Sequence, residues 1–135
     1  MTTPACVSSS PVRVRYAETD KMGVVYYANY LVWFEIGRTD WLRETGWTYR
    51  QMEADGFQLP VIDAHCEYKH GARYDDELAI RTRASQISPV RIRFDYEVVR
   101  LADGIVLALG QTVHATIGPG GRPARLPARI RDLFA

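Results

Sequence analysis

Cysteine is scarce in this chain: only Cys6 and Cys66 occur among 135 residues. Two thiols make no disulfide framework, and a reducing compartment suits them. No apolar run approaches the ~20 residues that a membrane-crossing helix needs, so no membrane insertion is expected. The opening MTTPACVSSSP has neither a basic nor an apolar stretch, so it does not read as a secretion signal, and a cytoplasmic location is expected. An excess of one charge is also missing, since 17 Lys and Arg face 16 Asp and Glu for a formal net charge of +1. The arginines of the second half are scattered, which gives no footprint for nucleic acid or an anionic surface. There is no G-x-S-x-G elbow, no P-loop, and no glycine fingerprint after a strand. Zinc-ligand spacing is absent too. His65, Cys66 and His70 fall in one expected strand, where His65 points away from the other two. Cys66 and His70 then lie roughly 13 Å apart at ~3.3 Å per residue, so no metal site is expected.

What remains is an ordinary globular composition, 47% hydrophobic and 24% charged, on a chain long enough for one cored domain. Residues 1–10 read as a flexible tail and 11–135 as the domain. VRVRY (12–16) alternates as a half-buried strand should. From Asn29 the period changes, and Tyr30, Trp33, Phe34, Gly37, Trp41 and Leu42 fall on one helical face over 30–45. Asn29 is placed to cap this helix and Gly46 to stop it. Leu31, Val32 and Ile36 widen the apolar face, so the helix is expected to be covered over much of its circumference. A short helix follows over 48–56. Four strands come next, over 61–72, 78–87, 90–99 and 105–117, with hairpin chemistry at ADG (102–104), and a short helix near 127–134 closes the chain. Val90, Ile92, Phe94, Tyr96 and Val98 alternate with Arg91, Arg93, Asp95 and Glu97. The economical architecture is α+β: a curved antiparallel sheet of about five strands wrapped around one long central helix. One helix does not fully cover five strands, so self-association is expected.

The stretch AETDKMGVVYYANY (17–30) sits between the first strand and that helix. Gly23 gives the loop freedom to turn. Residues 27–30 open the helix, so their backbone N–H groups lack intrahelical partners and, with the helix dipole, form a ready anion site. An ester or thioester carbonyl placed there would have its developing oxyanion stabilised, and Asp20 nearby could attack or activate water. A plain alternative stands beside this one. Asp20 satisfies loop donors as a cap while Tyr26, Tyr27 and Tyr30 pack.

RVRYAETDKMGVVYYANYLVWFEIGRTDWL (13–42) resembles the signature of hotdog-fold acyl-CoA thioesterases of the 4-hydroxybenzoyl-CoA thioesterase type, and of the similar Tol–Pal-associated enzymes. ARYDDEL (72–78) also fits that pattern, and the resemblance spans most of 11–133. It implies the hotdog fold and hydrolysis of an acyl-CoA to free acid and CoA, with no cofactor beyond the CoA that the substrate carries. By the same resemblance Asp20 is the catalytic carboxylate, as nucleophile or as general base. The backbone amide of Tyr27 polarises the thioester carbonyl.

Gly23, Glu35 and Arg91 count as substrate-binding positions. Glu35 matches an acidic position facing the acyl group in the aromatic-acyl branch; its ordinary alternative is a salt bridge with Arg38. Arg91 lies where the hydroxybenzoyl enzyme has a basic cluster for CoA phosphates, although Ser88, Pro89 and Val90 replace the rest of it. Arg91 and Arg93 equally suit a solvated strand face. Tyrosine at 27, where short-chain enzymes often carry histidine, leans toward aromatic or bulky acyl groups. The family pairs subunits edge to edge into dimers, often doubled to a homotetramer, with active sites at the shared interface. An acyl-carrier-protein thioesterase and a non-catalytic acyl-CoA-binding hotdog protein are the alternatives.

Overall fold

The computed structural model describes residues 7–134. Its architecture is the expected α+β one, a hotdog fold. Five strands, β1 (Val7–Arg13), β2 (Val61–Tyr68), β3 (Glu77–Ser88), β4 (Arg91–Arg100) and β5 (Val106–Ala115), form one sheet in the order β1-β3-β4-β5-β2. Every pairing is antiparallel. The register shifts between Val61 and Asp63, Gln86 and Ser88, and Val98 and Val99, and such bulges bend and twist the strands around the helix. The long helix α1 (Asn29–Glu44) lies in the concavity, and a six-residue α2 (Tyr49–Ala54) follows. The short α3 (Ala128–Arg131) packs at the C-terminal end. No helix among the described residues is long and apolar enough to cross a membrane.

The face read from the helical spacing is the one that packs: Tyr30, Trp33, Phe34, Gly37, Trp41 and Leu42 are the buried residues of α1. Burying such side chains contributes about 1.5–3 kcal/mol each, which holds α1 to the sheet without a cap at its start. Phe34 lies flat on Tyr96 of β4, with ring centroids 4.3 Å apart and planes 8° from parallel. Gly110 of β5 makes room for it, because a Cβ there would sit 2.3 Å from Phe34 Cζ. The helix ends as expected, with the Thr45 and Gly46 amides donating to the carbonyls of Leu42 and Arg43. Thr48 caps α2 reciprocally with Gln51.

Several boundaries differ from the sequence reading. Of the expected tail, residues 1–6, Cys6 among them, lie outside the described residues; Val7–Ser10 belong to β1. Ser8 and Ser10 turn inward and are buried, and the Ser8 hydroxyl donates to Glu44 at the end of α1. A serine run hides this strand because its inward positions are polar. The strand expected over 12–16 ends at Arg13, and Tyr16–Glu18 form a 3-10 turn. β2 stops at Tyr68, leaving His70 beyond the strand. Leu31, Val32 and Ile36 are exposed instead of covered within one chain.

One polar chain crosses the core. The Tyr96 hydroxyl lies 2.7 Å from Thr112 Oγ1, Thr112 Oγ1 lies 2.8 Å from His114 Nε2, and His114 Nδ1 lies 2.8 Å from the Leu59 carbonyl. A neutral imidazole with Nδ1–H donating to Leu59 satisfies every member. Burial, reinforced by the Arg38 charge and opposed by the bond to Leu59, pushes the His114 pKa from 6.5 down to about 4. Between these two values the unfolded chain binds the proton and the folded one resists it, so stability falls as pH drops through that window. We expect the melting temperature to decline from pH 6.5 toward pH 4, with a shallower slope in His114→Gln. An unchanged slope would remove His114 as the cause.

Candidate active site

The loop that leads into α1 is tied down residue by residue. The Thr19–Val25 bridge closes it, and the amide of Val25 donates to the Ala72 carbonyl at 2.9 Å. Gly23, at φ +81°, allows the tight turn in which its amide donates to the Asp20 carbonyl at 3.0 Å. Asp20 Oδ1 accepts the Met22 amide at 2.8 Å. Among the described residues Oδ2 of Asp20 accepts no hydrogen bond, so one oxygen is anchored and the other is available.

Glu18, which the sequence reading passed over, organises the same region. It is 5% exposed, with Oε1 accepting the Arg15 amide at 2.8 Å and Oε2 the Trp33 indole N–H at 3.2 Å. Its carbonyl accepts both the Tyr26 amide at 2.8 Å and the Asn29 side-chain amide at 3.0 Å. Asn29 therefore does not cap the helix, as expected from sequence, but reaches back to Glu18; Ala28 holds the cap position. A buried glutamate thus links the 3-10 turn, the loop and α1. Its only trace in the sequence is a carboxylate three residues after Arg15.

The helix start also departs from expectation. The amides of Asn29, Tyr30 and Leu31 already donate to the carbonyls of Tyr26, Tyr27 and Ala28 at 3.0–3.3 Å. Among the described residues, only the Tyr27 and Ala28 amides of this turn find no acceptor. The donor set expected over 27–30 thus narrows to two, at the positive end of the helix dipole.

Asp20 and Tyr27 line one cleft of about 270 Å³, together with Tyr30, Tyr68, Lys69 and His70. Tyr30 is buried, and its hydroxyl accepts the Ala72 amide at 3.2 Å, so it packs as a structural residue. Tyr26 and Tyr27 lie against each other with centroids 4.6 Å apart, both partly open to solvent. Burial pushes the Tyr68 phenol, with Cys66 beside it, up to about 12, so it stays a donor.

The remaining sequence candidates are not brought into this cleft within one chain. Glu35 lines a second cleft of about 500 Å³ with Arg38, Tyr49 and Gln58, at the start of β2. Neither Glu35 nor Arg38 makes an ion pair among the described residues. Arg91 is exposed at the Ala115 end of β5, whereas Tyr68 pairs at the Ala108 end, roughly 20 Å away by strand rise. Arg93 is held by Asp95 at 2.8 Å.

A family model described as the thioesterase-like superfamily matches residues 14–134. The chain belongs to the thioesterase-like superfamily. As a thioesterase-like protein it resembles YneP of Bacillus subtilis, 39% identical over 92 residues that span 68% of this chain and 67% of YneP. The acyl-CoA thioesterase YbgC of Haemophilus influenzae is 31% identical over 93% of each chain. Among solved structures, a DHNA-CoA thioesterase from Staphylococcus aureus superposes with a TM-score of 0.84 at 34% identity. That superposition covers 93% of this chain and 85% of the other. This thioesterase-like chain is an enzyme, a thioester hydrolase.

Proposed function

We propose that the protein hydrolyses acyl-CoA thioesters at the Asp20 cleft, with an aromatic or a short- to medium-chain acyl group. The observation that carries the reading is the pairing, on one cleft, of a carboxylate with one oxygen anchored and a helix-start amide without an acceptor. The Tyr27 N–H donates to the thioester oxygen and stabilises the oxyanion that forms there. Asp20 then acts in one of two balanced ways. As nucleophile, its free oxygen bonds to the acyl carbon, the C–S bond breaks, and CoA leaves as a thiolate that is protonated; water then cleaves the acyl–aspartyl anhydride. As general base, it takes a proton from water, the resulting hydroxide adds to the carbonyl carbon, and the same C–S bond breaks. A burst of thiol before acid release marks the first route. CoA is part of the substrate, and neither route draws on another cofactor.

The working unit we propose is a dimer. Among the described residues β2 is an edge strand, hydrogen-bonded only to β5, and all its residues are exposed except the half-buried Cys66. The other edge, β1, carries Pro11 and is blunted against pairing, whereas β2 carries no proline. Two-fold pairing of β2 with itself sets the Val61 end of one copy beside the Tyr68 end of the other. That move brings the second cleft, with Glu35, toward the Asp20 cleft of the neighbouring protomer. Arg91 lies at the same end of the sheet and comes with it. Glu35 thereby reaches the acyl group and Arg91 the CoA phosphates across the interface, and the open face of Leu31, Val32 and Ile36 is available for further association. Sedimentation equilibrium is expected to give a dimer or a multiple of it; a monomer at micromolar concentration would remove the composite site.

The test of function is thiol release across aromatic, short-chain and long-chain acyl-CoAs, with acyl-carrier-protein thioesters in the same assay. We expect turnover of CoA thioesters. Preference for the carrier protein would reassign the substrate, and binding of CoA thioesters without thiol release would make the chain a non-catalytic binder.

A further inference from the structure

We infer that Tyr68 is a positioning residue for thioester hydrolysis, one that sets and electrostatically caps the peptide group at the opening of α1. The inference rests on the reading of the Asp20 cleft given above. Tyr68 is the last residue of β2, and its hydroxyl donates to the Tyr27 carbonyl at 3.0 Å. Its ring meets Tyr30 edge-on at 5.1 Å and 89°, and Tyr27 at 6.4 Å and 85°. The sheet thus reaches over to the helix start through one hydroxyl, held in place by two aromatic contacts.

The turn at 26–28 is otherwise pinned mostly from within. The Tyr26 carbonyl takes the Asn29 amide, and the Tyr27 carbonyl takes the Tyr30 amide at a long 3.3 Å. Rotation of the 27–28 peptide is therefore resisted weakly by the helix and more firmly by Tyr68. The Tyr27 carbonyl and the Ala28 N–H belong to one planar peptide group, so a bond that holds this carbonyl also fixes where the Ala28 N–H points. That amide is the second of the two helix-start donors without an acceptor among the described residues.

Charge adds a second effect. Tyr27 lines the cleft, and an uncapped carbonyl there presents its negative pole beside the place where the oxyanion grows. A hydroxyl donated to that carbonyl reduces the repulsion, and it polarises the same peptide so that the Ala28 N–H becomes a stronger donor. The phenol keeps its proton through neutral and mildly alkaline pH, which suits a permanent donor and not a group that exchanges protons in turnover.

Tyr68→Phe keeps the ring contacts and removes only the hydroxyl. With the acyl-CoA turned over fastest by the wild type, we expect kcat to fall about 5- to 10-fold and KM to stay within about twofold. The loss should be uniform between pH 6 and 9, because no titrating group has been removed. The melting temperature should hold, and the Ala28 and Tyr30 amide resonances should move, reporting the lost bond at the Tyr27 carbonyl. Asp20→Asn is measured in parallel. If Asp20→Asn is inactive and Tyr68→Phe turns over like the wild type, Tyr68 has no positioning role, although the Asp20 reading stands. A deficit confined to KM, or one that titrates with pH, likewise overturns the inference. If Asp20→Asn remains active, the reading beneath it fails and the inference falls with it.

Discussion

Asp20→Asn is expected to lose about 10²- to 10⁴-fold in kcat while melting at nearly the wild-type temperature, because the substitution removes a charge and a base but not an acceptor. The separation follows from how the side chain is held. Oδ1 accepts the Met22 amide at 2.8 Å in the turn, and the carbonyl oxygen of asparagine accepts it equally well. The Gly23 and Val24 bonds of the loop are backbone bonds to residue 20 and do not depend on the side chain at all. What the variant lacks is the anionic second oxygen, which neither attacks a thioester carbon nor accepts a proton from water once it is an amide NH₂ group. Initial-rate thiol release, paired with thermal unfolding of the same preparation, reads both halves of the expectation. Retained turnover removes Asp20 from the mechanism. A large fall in melting temperature instead favours the capping role that spacing alone left open.

The candidate site was legible in the sequence to the extent that it is built from one continuous segment. Asp20, Gly23 and Tyr27 lie within eight residues, and the chain brings the first and last to one cleft through a turn that glycine permits. The inward face of α1 was legible because period 3.6 and aromatic bulk coincide at Tyr30, Trp33, Phe34 and Trp41. Legibility failed where a residue acts through long-range contact. Glu18 looked like one more loop acid, yet it is buried against the Trp33 indole, fifteen residues on. Tyr68 meets Tyr27 across 41 positions, and nothing in the local pattern of β2 marks it. β1 was read short for a different reason: hydropathy has no signal when the inward residues are Ser8 and Ser10. Glu35 and Arg91 show a further limit. They lie away from Asp20 within one chain, and the pairing with a second copy proposed above is a symmetry that one chain's periodicity does not carry.

Phe34→Ala is expected to cost about 3–5 kcal/mol, the largest stability loss we anticipate from any single side chain of α1. The ring is 0% exposed and lies flat on Tyr96, and on its far side it fills the space that Gly110 leaves in β5. Helix and sheet therefore meet here with no intervening side chain on β5. Melting should fall by about 6–20 °C, on the scale of ~2–4 °C per kcal/mol for domains somewhat larger than this one. Gly110→Ala probes the same contact from the other side, since its Cβ would arrive 2.3 Å from Phe34 Cζ and force the ring off Tyr96. Such overpacking costs about 1–3 kcal/mol. The two effects share one volume, so they should not add. Phe34→Leu combined with Gly110→Ala is expected to be more stable than the sum of the single losses predicts, by about 0.5–3 kcal/mol. Additive losses would mean that the helix and β5 relax independently, and that the close approach at Gly110 does not set the depth at which α1 sits in the sheet. Because α1 begins at the proposed oxyanion donors, a shift in that depth should also appear as lost turnover in Gly110→Ala at temperatures well below its melting point.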